Sequence, residues 1–231
     1  MPIPDSFVSR LGSLLDLGGP VVAILMVGSV LSLAVIMVKV FQFTRGGVGS
    51  RGRSEQAVRL FAEGRAREAY ELAARGRNPA AEAVAQAISL VSARRLDKPA
   101  IEEQVARLAT ERLHDLQSGL RFLDAVAQLA PLLGLFGTVL GMIDAFKELQ
   151  SAGNAVDPSV LAGGIWVALL TTAAGLAVAM PVSMILTWFE TRIEHERIAI
   201  QTLTTDILSG SAPHTPSARD QALSGEALLA H

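Results

Sequence analysis

The chain has 231 residues, of which half are hydrophobic and only 18% are charged, with no Cys and a formal net charge of −2. A soluble domain usually carries about 25% charged residues. Here the apolar residues gather into three uncharged blocks: Leu17–Val38 (22 residues), Ala125–Ile143 (19) and Pro158–Phe189 (32). A bilayer core about 30 Å thick needs roughly 20 helical residues to cross it, so each block qualifies as a span. A plain cytosolic globule, a disulfide scaffold and a thiol-ligated metal site are excluded.

Residues 1–16 read as a short outer segment, an amphipathic helix with Phe7, Leu11, Leu14 and Leu15 on one face. The first transmembrane helix, 17–43, follows Gly18-Gly19-Pro20. A cleaved signal peptide is the competing reading. It needs a basic lead and an Ala-x-Ala cleavage site. The lead carries Asp5 and Asp16 against Arg10, and the apolar block runs into Lys39, so the span is expected to be retained.

Region 44–122 is expected to be cytoplasmic and helical. Thr44–Arg53 is rich in Gly and Arg and reads as a turn. Glu55–Arg75 has a helical pattern with Val58, Phe61 and Leu72, and Gly76–Pro79 ends it. A second helix over 80–95 carries Val84, Ala87, Ile88 and Val91 on one face. Asp97 suits an N-cap and Pro99 a first turn. From there Ile101, Val105, Leu108, Leu116 and Leu120 keep helical spacing, which predicts one long helix from about 99 to 146, kinked near Pro131.

The second transmembrane helix is placed at 123–146, an outer loop at 147–163, and the third transmembrane helix at 164–189. A cytoplasmic helix covers 190–208. A tail over 209–231, dominated by Ser, Pro, Gly and Ala, reads as disordered. Fourteen of the twenty Lys and Arg residues lie between Thr44 and Arg121, and three follow the last span. Basic residues flanking spans stay on the cytoplasmic side. The N-terminus is therefore expected in the periplasm and the C-terminus in the cytoplasm.

The second and third spans are rich in small residues. Gly134, Thr138, Gly141 and Ala145 share one face, with Gly137 and Gly141 forming a small-xxx-small pair. Ala168, Thr172, Gly175, Ala179 and Ser183 share a face of the third span. Lipid gives no hydrophobic drive for helix association, so close approach through small residues matters. Two readings of these faces stand. One is tight packing, with each hydroxyl bonded back to a carbonyl one turn earlier. The other is a wet or partner-binding lumen. Neither block contains Asp, Glu, His, Lys or Arg; Asp124 and Asp144 only bracket the second. A proton pathway through this chain would need a titrating group from a second protein.

The run Ala130-Pro131-Leu132-Leu133-Gly134-Leu135-Phe136-Gly137-Thr138-Val139-Leu140-Gly141 resembles the second-span signature of the MotA/TolQ/ExbB proton-channel family. Gly164-Ile165-Trp166-Val167-Ala168-Leu169-Leu170-Thr171-Thr172-Ala173-Ala174-Gly175-Leu176, with Ala179-Met180-Pro181, resembles its third-span signature. Three spans rather than four put the chain nearer ExbB or TolQ than MotA. The resemblance covers roughly residues 18–208 and is strongest over 122–190.

The resemblance implies an all-α membrane protein with three transmembrane helices. The second and third would extend into a cytoplasmic helical bundle, and the chain would form a homo-oligomeric ring, usually a pentamer. The ring would enclose single-span helices of an ExbD/TolR-like partner whose Asp takes and releases protons. Proton flow would drive a TonB/TolA-like transducer, either for outer-membrane transport or, in a TolQ-like role, for envelope maintenance and cell division. Thr138 and Thr172 match family threonines beside that Asp, and Ser183 continues the hydroxyl stripe. Some ExbB members carry a Glu where this chain has Val167.

Other candidates are weaker. Asp144, Glu148 and Asp157 surround Lys147 at the outer mouth, where they would either concentrate cations or form a solvated loop. Residues 44–121 carry a net charge of +4, which suits anionic membrane lipid and not nucleic acid. His114 and His195 lack a second ligand at metal spacing. Pro131 and Pro181 free backbone carbonyls within spans, as kinks or as simple helix shaping. No nucleophile–base pair, phosphate loop, metal site or cofactor motif is evident, so the chain is expected not to be an enzyme. The rival readings are a substrate transporter, which would need more spans and internal repeats, and a non-conducting membrane scaffold.

Overall fold

The computed structural model describes residues 5–151 and 158–210. Those residues form seven helices: α1 (Asp5–Gly46), α2 (Gly52–Ala62), α3 (Ala66–Ala74), α4 (Pro79–Ala93), α5 (Lys98–Gln117), α6 (Leu120–Ser151) and α7 (Pro158–Ser209). No strand occurs among the described residues. Three helical stretches are long and apolar enough to cross a membrane: Gly19–Gly46, Leu120–Ser151 and Leu161–Ser209. The described residues are all-helical, with three candidate membrane spans. The side chains of Phe7, Leu11, Leu14 and Leu15 lie outside the described set, as do Asp157 and residues 211–231.

Two compact units divide the chain. One comprises residues 1–41 and 117–190, the other 42–116 and 191–231. In the first unit α1 is broken at Gly19, with φ 60° and ψ −159°. L-residues avoid that region, and Pro20 then sets φ for the first turn of the apolar helix. Val21 and Leu25 pack against Ala130 of α6 and Ala179 of α7. The large apolar side chains mostly face outward: Val30, Met37, Leu132, Phe136, Trp166 and Met184 are all exposed. In water this arrangement would be a liability; in hydrocarbon it is the expected one.

The second unit is built the other way round. Val58 of α2, Ala69 of α3, Val84 and Ile88 of α4, Ile101 and Val105 of α5, and Ile200 and Leu203 of α7 form one buried core. Arg112 clamps Glu82 through two hydrogen bonds of 2.8 and 2.6 Å, tying α5 to α4. Arg65 pairs with Glu68 on the surface of α3. That hydrogen bond holds the Glu68 carboxyl below its ordinary range. The small stabilisation it gives is present above the unfolded carboxyl's pKa and is lost as pH falls through the lower folded value.

Two expected helices are each broken in two. The 55–75 helix is interrupted by Glu63-Gly64-Arg65, with Gly64 at φ 83°. The long 99–146 helix is interrupted at Ser118-Gly119, with Gly119 at φ 77°. Both corrections have one cause: a glycine inside an apolar pattern adopts a backbone conformation that costs other residues about 1–2 kcal/mol. At the second break, buried Lys39 of α1 donates to the Ser118 hydroxyl at 3.3 Å. Through Pro131 and Pro181, α6 and α7 stay helical.

Glu196 of α7 is fully buried in the second unit. Its two carboxyl oxygens accept from the backbone N–H of Ala80 at 3.0 Å and of Gly49 at 3.1 Å. The first of these lies at the N-terminus of α4, where the helix dipole favours negative charge. Gln at this position would turn one oxygen into a donor facing a donor. Glu196→Gln is expected to destabilise the folded chain by about 1–3 kcal/mol, the range for an unsatisfied buried group. Thermal unfolding of the purified protein measures it, and an unchanged midpoint would contradict it.

Candidate functional site

The site lies where α6 and α7 cross in the first unit. Both helices are stripped of bulk there, and each glycine can be assigned a reason. A Cβ on Gly175 would stand 2.5 Å from the Ala130 carbonyl oxygen and 3.1 Å from the Gly134 Cα. One on Gly134 would stand 2.9 Å from the Thr171 carbonyl oxygen, and one on Gly137 would stand 2.6 Å from the Thr171 hydroxyl. Further along, Gly141 faces the Ala168 Cβ at 3.0 Å and Gly164 faces the Ala145 Cβ at 2.5 Å. Contacts rise along one helix as they fall along the other, so the two run antiparallel with backbones in near contact. No L-residue fits at Gly175, because the obstacle is backbone.

Such close approach brings hydroxyls within reach of a foreign carbonyl. Thr172 Oγ1 donates to the Gly134 carbonyl at 3.1 Å. Thr171 Oγ1 lies 3.2 Å from the same carbonyl and 2.7 Å from the Ala168 carbonyl of its own helix. In a regular helix the Gly134 carbonyl also accepts from the residue four positions on. A carbonyl has two lone pairs, so the single Thr171 proton is best spent on Ala168, the shorter bond. That leaves Thr172 as the hydroxyl joining the two spans. Its proton is engaged and its own lone pairs remain available to accept.

Thr138 is half-buried and donates to the Leu135 carbonyl at 2.6 Å within α6. Ser183 is exposed and donates to the Met180 carbonyl at 2.9 Å within α7. These two follow the local back-bonding expectation, whereas Thr172 bonds across to the other span, which neither reading of the sequence named. Ala168 and Ala179 are buried, Gly134, Gly137 and Gly175 are buried, and Gly141 and Val167 are half-buried. The crossing therefore gathers Gly134, Gly137, Gly141, Ala168, Thr172, Gly175 and Ala179, with Thr138 and Val167 flanking it.

Thr171 is the residue the sequence pattern missed. It is only 3% exposed and fills the space over Gly137. Spacing alone permits either Thr171 or Thr172 between Ala168 and Gly175. The discriminating signal is Gly137, which only a side chain from the facing helix can explain. Elsewhere, Lys147 pairs with Asp144 at 3.6 Å on an exposed turn, a geometry worth little in water. No cluster of three potential metal ligands occurs among the described residues.

Comparison with known proteins bears on this crossing. Residues 75–202 match the model of the MotA/TolQ/ExbB proton channel family. The biopolymer transport protein exbB1 of Vibrio cholerae is 42% identical over 92 residues, 40% of each chain. A putative biopolymer transport protein ExbB homolog of Methanothermobacter thermautotrophicus is 32% identical over 134 residues, 58% of this chain and 46% of that one. The Tol-Pal system protein TolQ of Pseudomonas aeruginosa is 38% identical over 103 residues, 43% of this chain and 44% of that one. The matched stretch spans less than half the length of each of these relatives.

Proposed function

The chain belongs to the MotA/TolQ/ExbB proton channel family, and on that premise we propose that it is the ring-forming subunit of an inner-membrane motor driven by the proton-motive force. Five copies surround the single-span helices of an ExbD/TolR-like partner, which contributes the Asp that binds and releases protons. The assembly energises a TonB/TolA-like transducer for outer-membrane transport. The N-terminus lies in the periplasm, and the basic 44–121 region lies in the cytoplasm against anionic lipid. A TolQ-like role in envelope maintenance is the second reading, favoured by the Pseudomonas aeruginosa relative.

One observation carries the proposal. The α6–α7 crossing offers hydroxyl oxygens in a pair of spans whose uncharged blocks contain no acid or base. Burying an unpaired charge in hydrocarbon is expensive, so an intramembrane carboxylate is placed only where it functions. Here it comes from the partner. The Thr172 oxygen accepts a hydrogen bond from the protonated Asp. When the Asp is ionised, the hydroxyl rotates off the Gly134 carbonyl and donates. The carbonyl keeps its helical bond meanwhile, so the exchange leaves no backbone group unsatisfied.

Reconstitution in vesicles with an imposed pH gradient and a pH-sensitive dye tests this. The chain alone is expected to remain proton-tight. The chain with its partner should acidify the lumen, and an Asp→Asn partner should not. Brisk acidification by the chain alone would overturn the proposal, and solute uptake without any partner would indicate a transporter. Val167→Glu is expected to be tolerated or to slow flux, since a second acid beside the partner's is redundant and costly to bury. A large gain in flux would show that the acid at this position is a working part of the path.

A further inference from the structure

The second unit holds a cavity of about 430 Å³ lined by Arg45, Arg53, Arg75 and Arg77 together with Ser50 and Asn78. From this geometry we propose that the cavity is a binding site for a phosphate-bearing anion. The proposal is independent of the proton pathway.

The walls are fixed in advance. Asn78 caps α4 by accepting from the Ala81 N–H at 2.9 Å, and its amide donates to the Ser50 carbonyl at 2.7 Å. Glu196 holds the Gly49 N–H from the other side. Gly76 is pressed against the Ala81 methyl so closely that no Cβ fits there. The two arginines that flank it, Arg75 and Arg77, therefore leave an anchored turn. Preorganisation of this kind lowers the entropy lost on binding.

Three of the four guanidinium charges are not neutralised by a carboxylate. Arg53, Arg75 and Arg77 form no ion pair with any carboxylate among the described residues. Guanidinium forks fit phosphate oxygens in pairs, and a bound anion relieves the mutual repulsion of the cluster. The first N–H groups of α4 are already taken by Asn78 and Glu196. The helix terminus thus adds its field and not its hydrogen bonds, and the arginines make the contacts. The volume falls within the usual range of small-ligand sites.

Either an anionic lipid headgroup or a free phosphate presents this chemistry. The lipid is the source that the chain path favours, because Arg45 lies in the last turn of α1, seven residues beyond the uncharged block ending at Val38.

The full-length protein in uncharged detergent, followed by thermal unfolding, provides the test. Dioctanoyl phosphatidylglycerol, inorganic phosphate and dioctanoyl phosphatidylcholine are titrated separately. A saturable rise in the midpoint with phosphatidylglycerol is expected, and none with phosphatidylcholine. Arg75→Gln/Arg77→Gln should weaken it at least tenfold without lowering the unliganded midpoint, and the Lys pair should weaken it less. Arg45→Gln/Arg53→Gln provides a second route if the first variant folds poorly. Saturation by inorganic phosphate at equal concentration would make the ligand a soluble anion and still support the site. No saturable response to either anion would overturn the proposal. So would an equal loss in Arg94→Gln/Arg95→Gln, which removes the same charge elsewhere in the unit.

Discussion

Gly175→Ala is expected to lower the unfolding midpoint of the protein in detergent, and Gly175→Val to abolish a stable α6–α7 contact. The added methyl would stand 2.5 Å from the Ala130 carbonyl oxygen, about an ångström inside ordinary contact. Neither partner is a side chain that can turn away, so the helices must move apart. Overpacking of this kind costs about 1–3 kcal/mol for one methyl group. Separation also stretches the Thr172–Gly134 hydrogen bond, so transport should fall together with stability. Gly28→Ala is the matched control, because nothing lies within 4 Å of a Cβ there. If Gly175→Ala and Gly28→Ala unfold at the same temperature and reach equal levels in the membrane, the backbone contact is not what holds these spans together.

Thr172→Val should do the opposite: leave the fold and remove the activity. Val replaces the hydroxyl by a methyl of similar size, and the Gly134 carbonyl keeps its helical partner, so stability should change by less than about 1 kcal/mol. A hydrogen bond to an ionised group is worth about 1.5–3 kcal/mol, and about 1.4 kcal/mol corresponds to a tenfold change in rate. Partner-dependent proton flux should therefore fall at least tenfold. Thr138→Val removes a hydroxyl already spent on the Leu135 carbonyl of its own helix, so its effect should be smaller. Thr171→Val should act mainly on stability, since Thr171 packs over Gly137. Normal flux in Thr172→Val alongside impaired flux in Thr138→Val would move the proton-handling group to the other helix.

Much of the membrane part was legible in the sequence because hydrocarbon imposes a coarse rule. A run of uncharged residues long enough to cross has few other uses, and all three such runs became apolar helices. The break at Gly18-Gly19-Pro20 and the helix end at 76–79 were legible for a similar reason, since glycine permits conformations a helix cannot contain and proline removes a helical donor. Gly64 and Gly119 were harder. Each sits alone among residues that keep helical spacing, and spacing reports which face is apolar, not whether φ stays negative. Glu196 shows a different gap. It falls on the stripe of Ile193, Ile200, Leu203 and Ile207, all buried. An acid on an apolar stripe marks a buried acceptor, but the groups it serves, Gly49 and Ala80, are more than a hundred positions away. The choice between Thr171 and Thr172 was closed to spacing, because adjacent residues on a helix differ by only about 100° and the small-residue face is wide enough to include both.

Apart from Thr171 and Thr172, the seam between α6 and α7 is built from residues with no side-chain torsions to rotate. Glycine and alanine have no side-chain conformers to exchange, so warming has little there to loosen. The spacing of the two backbones is set by direct contact between main-chain atoms, much as a bearing's clearance is set by its machining. Relatives living at very different temperatures would then be expected to keep this gap unchanged and to adapt on their outward-facing apolar surface.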